Sequence, residues 1–289
     1  MTNVRSTNAG FGLVHLFGRF RLGMLAIVLA WAALFQAASV SAESVAVRQM
    51  EGELHGFLAL RTLDGAIIAD GDLIQVTHGS EVTSRLVFHF KDGSLQDETA
   101  VLSQRGHFRL LADHLVQKGP AFKRPMDVSI NGSTGLVTVR YRDDKGEDKI
   151  ATKRLALPPD VANGIVPILL KNMASDAQST TVSMVVATPE PLLVKLAITA
   201  EGGDSFSTGG ASHKAIRYVI KVDIGGIRGA LAPLVGKQPP DTRVWILGGN
   251  CPAFLKSEGP MYESGPIWRT DLVSPVWPKG TTDKAERKK

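Results

Sequence analysis

Cysteine is almost missing from this 289-residue chain: Cys251 is its single thiol. An internal disulfide is therefore excluded, and stability has to come from core burial. Apolar runs of membrane-spanning length are missing too. The longest, "LGMLAIVLAWAALF" at 22–35, falls short of the roughly 18 residues a spanning helix needs. Arg5, Arg19 and Arg21 precede it without any acidic residue, and "QAASVSA" with small residues at Val40 and Ala42 follows. That is the order of a secretory signal cleaved before Glu43, the alternative being an uncleaved anchor. Residues 1–42 are thus expected to direct export to the periplasm or beyond the cell. What remains is ample for one β-rich domain over 43–278.

A charge excess is lacking where it would matter. Of 33 basic and 28 acidic residues, three basic ones lie in the leader. Five basic and two acidic ones lie in "KGTTDKAERKK" at 279–289, leaving 25 basic against 26 acidic in between. The basic balance therefore belongs to a signal and a solvated, disordered tail, and a nucleic-acid partner is not implied.

Catalytic motifs are equally scarce. Gly-x-Ser-x-Gly does not occur, and "GGDSFSTGG" resembles it only in composition. "GGIRG" at 225–229 has the wrong spacing for a dinucleotide fingerprint, and no other cofactor signature is present. Cys251 has no histidine within 35 residues in sequence to activate it. Asp97 and Glu98 are adjacent, hence on opposite faces of a strand, and do not form an acid–base pair with each other. The acidic stretch 143–148 lacks the order of a calcium loop and reads as a hairpin turn. No catalytic residue, metal ligand set or cofactor is assigned.

What is present is period-two alternation broken by turn chemistry. "VTSRLVFHF" (82–90) puts Val82, Ser84, Leu86, Phe88 and Phe90 on one face, and the Asp-Gly of "KDGS" then turns the chain into "LQDETAVLSQ". "MDVSI", "NGSTG" and "LVTVRYR" make a second hairpin; "GFLALRTL", "AIIADGDLIQVT", "TTVSMVVAT", "LLVKLAITA", "HKAIRYVIKVDI", "TRVWIL" and "WRTDLVS" read as further strands. "EGGDSFSTGGAS" (201–212) reads as a flexible loop. One helix is expected, over "PPDVANGIVPILLKNM" (158–173), with a kink or restart at Pro167. The fold class is mainly β: an antiparallel curved meander, or half-open barrel, packed around one short helix.

"HFRLLADHLVQKGPAF" (107–122) holds two histidines and an aspartate among leucines. It fits a helix or a strand, and its meander neighbours favour the strand. There, Phe108, Leu110, Ala112, His114 and Val116 alternate with Arg109, Leu111, Asp113, Leu115 and Gln117. His107 and His114 are then about 23 Å apart on opposite faces, or about 10.5 Å apart along a helix axis. Neither arrangement makes a local metal site.

Aromatic residues sit on separate strands. Convergence on one concave face would make Phe88, Phe90, Phe108, Tyr141 and Trp245, with Ile165 and Leu169 of the helix, the contacts of an apolar ligand. The alternative is an ordinary core. The series "QKGPAF", "MDVSINGSTGLVTVRY", "LALPPDVANGIVPILLKN", "TRVWILGGNCPAFLKSEGP" and "WRTDL" resembles a bacterial exported β-meander family known only as a domain of unknown function. Matching positions include Trp245 and Pro252 to Lys256. The resemblance covers roughly 50–277 and supplies no catalytic motif. More remotely, the layout is similar to the half-open barrels of periplasmic lipoprotein and lipid carriers, which implies a cavity under a helix. The leading expectation is a non-enzymatic module that binds a lipid or other apolar envelope ligand. An envelope scaffold with a protein partner is second. A hydrolase is third, and requires a histidine bonded to a serine or cysteine and a carboxylate.

Overall fold

Short turns between alternating segments place each strand against its predecessor. A computed structural model describes residues 44–143, 145–173, 177–208, 211–223 and 239–273. The leader 1–42, the "GGIRG" stretch and the basic tail lie outside the described residues. The first eight strands are β1 (Leu54–Arg61), β2 (Ile67–His78), β3 (Glu81–Phe90), β4 (Leu95–Arg105), β5 (His107–Lys118), β6 (Met126–Asn131), β7 (Leu136–Arg142) and β8 (Asp148–Arg154). Helix α1 (Val166–Lys171) follows. Then come β9 (Ser179–Val186), β10 (Leu192–Thr208), β11 (Ala211–Asp223), β12 (Thr242–Leu247), β13 (Phe254–Pro260) and β14 (Ile267–Val273). All fourteen join one antiparallel sheet in which β1 lies between β2 and β14, so that β8 and β9 are its two ends.

The sheet curves around the helix. Val82, Leu102, Phe108 and Leu110 from β3–β5 meet Val182, Leu196, Tyr218 and Val244 from β9–β12 over Ile165, Ile168, Leu169 and Leu170. A second cluster joins Leu58, Leu60, Phe88, Phe90, Phe122 and Trp268. In a third, Val128, Ile130, Val137 and Val139 of β6–β7 pack on Val185 of β9. The two ends of the sheet thus approach through side chains, without strand pairing.

Several expectations need correction. The α-helix has six residues, where a helix over 158–173 was expected. Residues 160–163 instead run along the free edge of β9. Ala162 N–H donates to Ser183 O (2.9 Å) and Ser183 N–H to Asp160 O (3.1 Å). Asn163 adds Nδ2–H to Val185 O (2.9 Å) and accepts from Val185 N–H (2.8 Å). Of the kink or restart expected at Pro167, the structure has the start: α1 begins at Val166 with Pro167 in its first turn, where the missing N–H costs nothing. Residues 201–212 are mostly strand. A bulge between Ala200 and Gly203 absorbs the glycines. Asp204 then accepts hydrogen bonds from Arg217 (3.2 Å) and Trp245 Nε1 (2.6 Å). Strand β13 was missed because its glycine and proline are poor strand formers. The NGS stretch acts as a turn: Asn131 Oδ1 accepts from the N–H groups of Ser133 and Thr134.

At the other end, β8 carries Lys149, Lys153 and Arg154 and is almost wholly exposed, a charge pattern that discourages strand addition. The lock on β9 has a measurable weight. Asn163→Ala removes both side-chain bonds to Val185 and is expected to lower unfolding free energy by about 1–3 kcal/mol in urea denaturation. A change within about 0.3 kcal/mol would show that the edge is held by other contacts.

Candidate functional site

The interior is solid on one side of α1 and open on the other. A cavity of about 410 Å³ lies among β1, β2, β3, β13, β14 and the helix face of Pro167, Ile168 and Lys171. Its walls are largely apolar, with Leu58, Leu60, Leu73, Leu86 and Trp268, interrupted by Gln75, Ser84, Glu98 and Thr270. Leu54 and Leu272, which are 42% and 43% exposed, mark where it meets solvent.

The strap before β1 fixes the helix that forms this wall. Asn172 Oδ1 accepts from the N–H groups of Arg48 (2.9 Å) and Gln49 (2.7 Å), while its Nδ2 donates to Ile168 O (3.1 Å). Lys171 Nζ pairs with Glu51 Oε2 at 2.5 Å, both largely buried, and Gln75 Nε2 donates to the same oxygen at 2.9 Å. Lys171, the one cation among the described residues of the cavity wall, is therefore already neutralised.

None of the seven residues expected to contact a ligand lines this cavity. Phe108, Ile165 and Leu169 belong to the solid core around the helix. Phe88 and Phe90 form the layer behind Trp268, with 5.4 Å between the rings of Phe90 and Trp268. Tyr141 packs beside the third cluster. Trp245 faces away from Val244 and Ile246, bonded to Asp204 with Lys256 Nζ 4.0 Å from its ring centroid. The helix does reach the cavity, but through Pro167, Ile168 and Lys171.

The residues that sequence reasoning missed are a pair of acids. On β5, Val101 faces Ala112 and Leu102 faces Leu110, so Leu111 is an extra residue. This bulge inverts the alternation, turning Phe108, Leu110, Asp113 and Gln117 all inward. Asp113, which regular pleating sets opposite Phe108, is 4% exposed and its Oδ1 has no hydrogen-bond partner. For the same reason His107 and His114 are both exposed rather than on opposite faces. Ala100 is the cross-strand partner of Asp113, which makes Glu98 its diagonal neighbour on the same face.

Glu98 Oε1 and Asp113 Oδ1 both lie within 3.4 Å of the point a β-carbon on Gly164 would occupy. Gly164, at φ 67°, takes a left-handed conformation that favours glycine, and a side chain there would clash with Ala100 Cβ at 2.8 Å and Asp113 Oδ1 at 2.9 Å. Burial pushes the Glu98 carboxyl up to about 7. Asp113 is raised well above the carboxylate range, first by burial and then by the charge of Glu98. Burial of both groups, and the charge of Glu98 on Asp113, favour the protonated forms, whereas a positive charge placed beside them would favour the ionised forms.

Elsewhere, His55 meets Asp72 at 2.8 Å and His114 meets Asp127 at 3.1 Å, both in exposed positions. Among the described residues no serine or cysteine hydrogen-bonds to these imidazoles, and no three of His, Cys, Asp and Glu gather as metal ligands. Ser183 lies 2.7 Å from Lys195 Nζ and bonds to Asp160, but it is fully buried and belongs to the β9 lock. Cys251 is exposed.

The raised carboxyls make stability depend on pH in a definite direction. The folded state binds these protons more tightly than the unfolded chain, so stability declines as pH rises from the ordinary carboxylate range through about 7. Glu98→Gln is expected to match the native protein near pH 4 and to be more stable at pH 8 by about 2–4 kcal/mol. Urea denaturation across pH 4–9 checks this; an unchanged slope in the variant would contradict the assignment.

No protein-family model matches the chain, and no curated protein is significantly similar to it in sequence. A crystal structure of a β-barrel-like protein of domain of unknown function DUF1849 from Brucella abortus is similar, with 9% sequence identity and a TM-score of 0.42. The match covers 79% of this chain and 100% of that one.

Proposed function

We propose that this chain is an exported, non-enzymatic binding protein that takes an apolar or amphipathic small ligand into the cavity beside α1. The single observation that supports this is the cavity itself, about 410 Å³ and walled mainly by aliphatic side chains and one indole. Its size and composition match small-molecule sites, whose volumes run from roughly 300 to 1,000 Å³. Since an apolar void of ~150 Å³ accepts a benzene ring, this one has room for on the order of 15 non-hydrogen atoms. Binding would be driven by removing apolar surface from water, worth ~25 cal/mol per Å². Export rests on the leader composition of residues 1–42.

The scaffold reading has less behind it, since the exposed end strand β8 carries the basic residues that oppose edge pairing.

Calorimetric titration with 1-octanol tests the proposal. Native protein is expected to bind it at one site. Leu86→Trp, which fills the cavity from β3, is expected to weaken it at least ~10-fold, a loss of about 1.4 kcal/mol, with no fall in thermal midpoint. No binding by the native protein, or equal binding by the variant, would overturn the proposal.

A further inference from the structure

We infer that the ligand of this cavity carries a basic amine, held as a cation by Glu98 with Asp113 behind it. The inference rests on the binding reading above and deepens it by naming the ligand's polar group. Four observations lead to it.

The first is the sign of the cavity wall. Its ionisable groups are Glu51, Glu53, Glu98 and Lys171, and Lys171 is occupied by Glu51 at 2.5 Å. β1, β2, β3, β12, β13 and β14 contribute only uncharged lining side chains. An anionic head would thus meet no free cation and at least one acid. A cationic head finds the reverse.

The second is unmet hydrogen bonding. Asp113 Oδ1 is buried without a partner. Buried acceptors in folded proteins are nearly always satisfied. An ammonium, with three donors, suits two acceptors on adjacent strands. The third is access. Glu98 and Gly164 both line the cavity, and Asp113 Oδ1 lies directly behind Gly164, 2.9 Å from where its β-carbon would stand. The fourth is the apolar remainder of the wall, which suits a hydrocarbon body attached to that head.

Burial raises both carboxyls. The empty site therefore keeps a proton that a bound ammonium displaces, and affinity for an amine rises with pH. The charged or titratable groups around Glu98 are Asp113 on β5, the salt-bridged Glu51–Lys171 pair, and Glu53 in the strap before β1.

Three eight-carbon probes separate the possibilities: octylamine, 1-octanol and octanoate, titrated calorimetrically at pH 6 and pH 8. At pH 8 octylamine is expected to bind about 10-fold or more tightly than 1-octanol, and octanoate more weakly than either. From pH 6 to pH 8 octylamine affinity should rise several-fold, with protons released, while 1-octanol affinity stays constant. Glu98→Gln should bring octylamine to the level of 1-octanol in the same variant; Asp113→Asn serves as a second variant. Equal affinity for amine and alcohol, or preference for octanoate, would overturn the amine assignment and leave the cavity reading intact. Failure of all three probes would overturn both.

Discussion

A helix of six residues cannot fill the inside of a fourteen-stranded sheet, and that mismatch of volume governs the rest of the molecule. Ile165, Leu169 and Leu170 close the space toward β3–β5 and β9–β12, where the core is solid. Toward β1, β2, β13 and β14 the helix offers only Pro167, Ile168 and Lys171, and a void of about 410 Å³ remains. Interiors are otherwise packed as densely as organic crystals. A void this large is costly unless something occupies it, which is the ground for the binding function we propose. The strap at 45–51 holds the helix in place through Asn172 and through Glu51 on Lys171. The same contacts engage Lys171, so that its charge does not balance the acids.

The acid pair is the second cost. A buried Asp113 beside a half-buried Glu98, with no counter-charge between them, weakens the fold as pH rises through about 7. Groups shifted in this way collect where a protein binds or reacts. Glu98 keeps contact with the cavity, and Asp113 stands behind it with an unmet acceptor. On the proposed reading, the apolar wall takes the hydrocarbon body of a ligand and the acid pair its basic end. A lipid with an acidic head is the wrong shape of charge for this wall.

Most of the sheet was legible in the alternation of apolar residues, because each hairpin depends on local chemistry. Asp92-Gly93 and Asn131 both form the turns their sequences suggest, with Gly93 at φ 82°. The helix length was not legible, because residues 160–163 are drawn into the edge of β9, an interaction that periodicity does not reveal. The site was hidden by a single extra residue on β5. Strict alternation sets Asp113 opposite Phe108, whereas the bulge beside Ala112 sets both inward. A bulge has no dependable sequence mark, and one residue of slip reverses every face beyond it. The aromatic residues lie away from the cavity for a different reason. Phe88, Phe90 and Phe108 do bury themselves, but in packed layers, and the cavity is bounded by leucines from strands distant in sequence.

The central claim is that Glu98 sits desolvated on the wall of an open cavity, ready to exchange a proton for a cation. The most direct measurement is the carboxyl ¹³C chemical shift of Glu98 as a function of pH, without ligand and with saturating octylamine. The expected result is a titration near 7 in the free protein, moving to lower pH when the amine is bound. A midpoint in the ordinary carboxylate range, unmoved by octylamine, would contradict it.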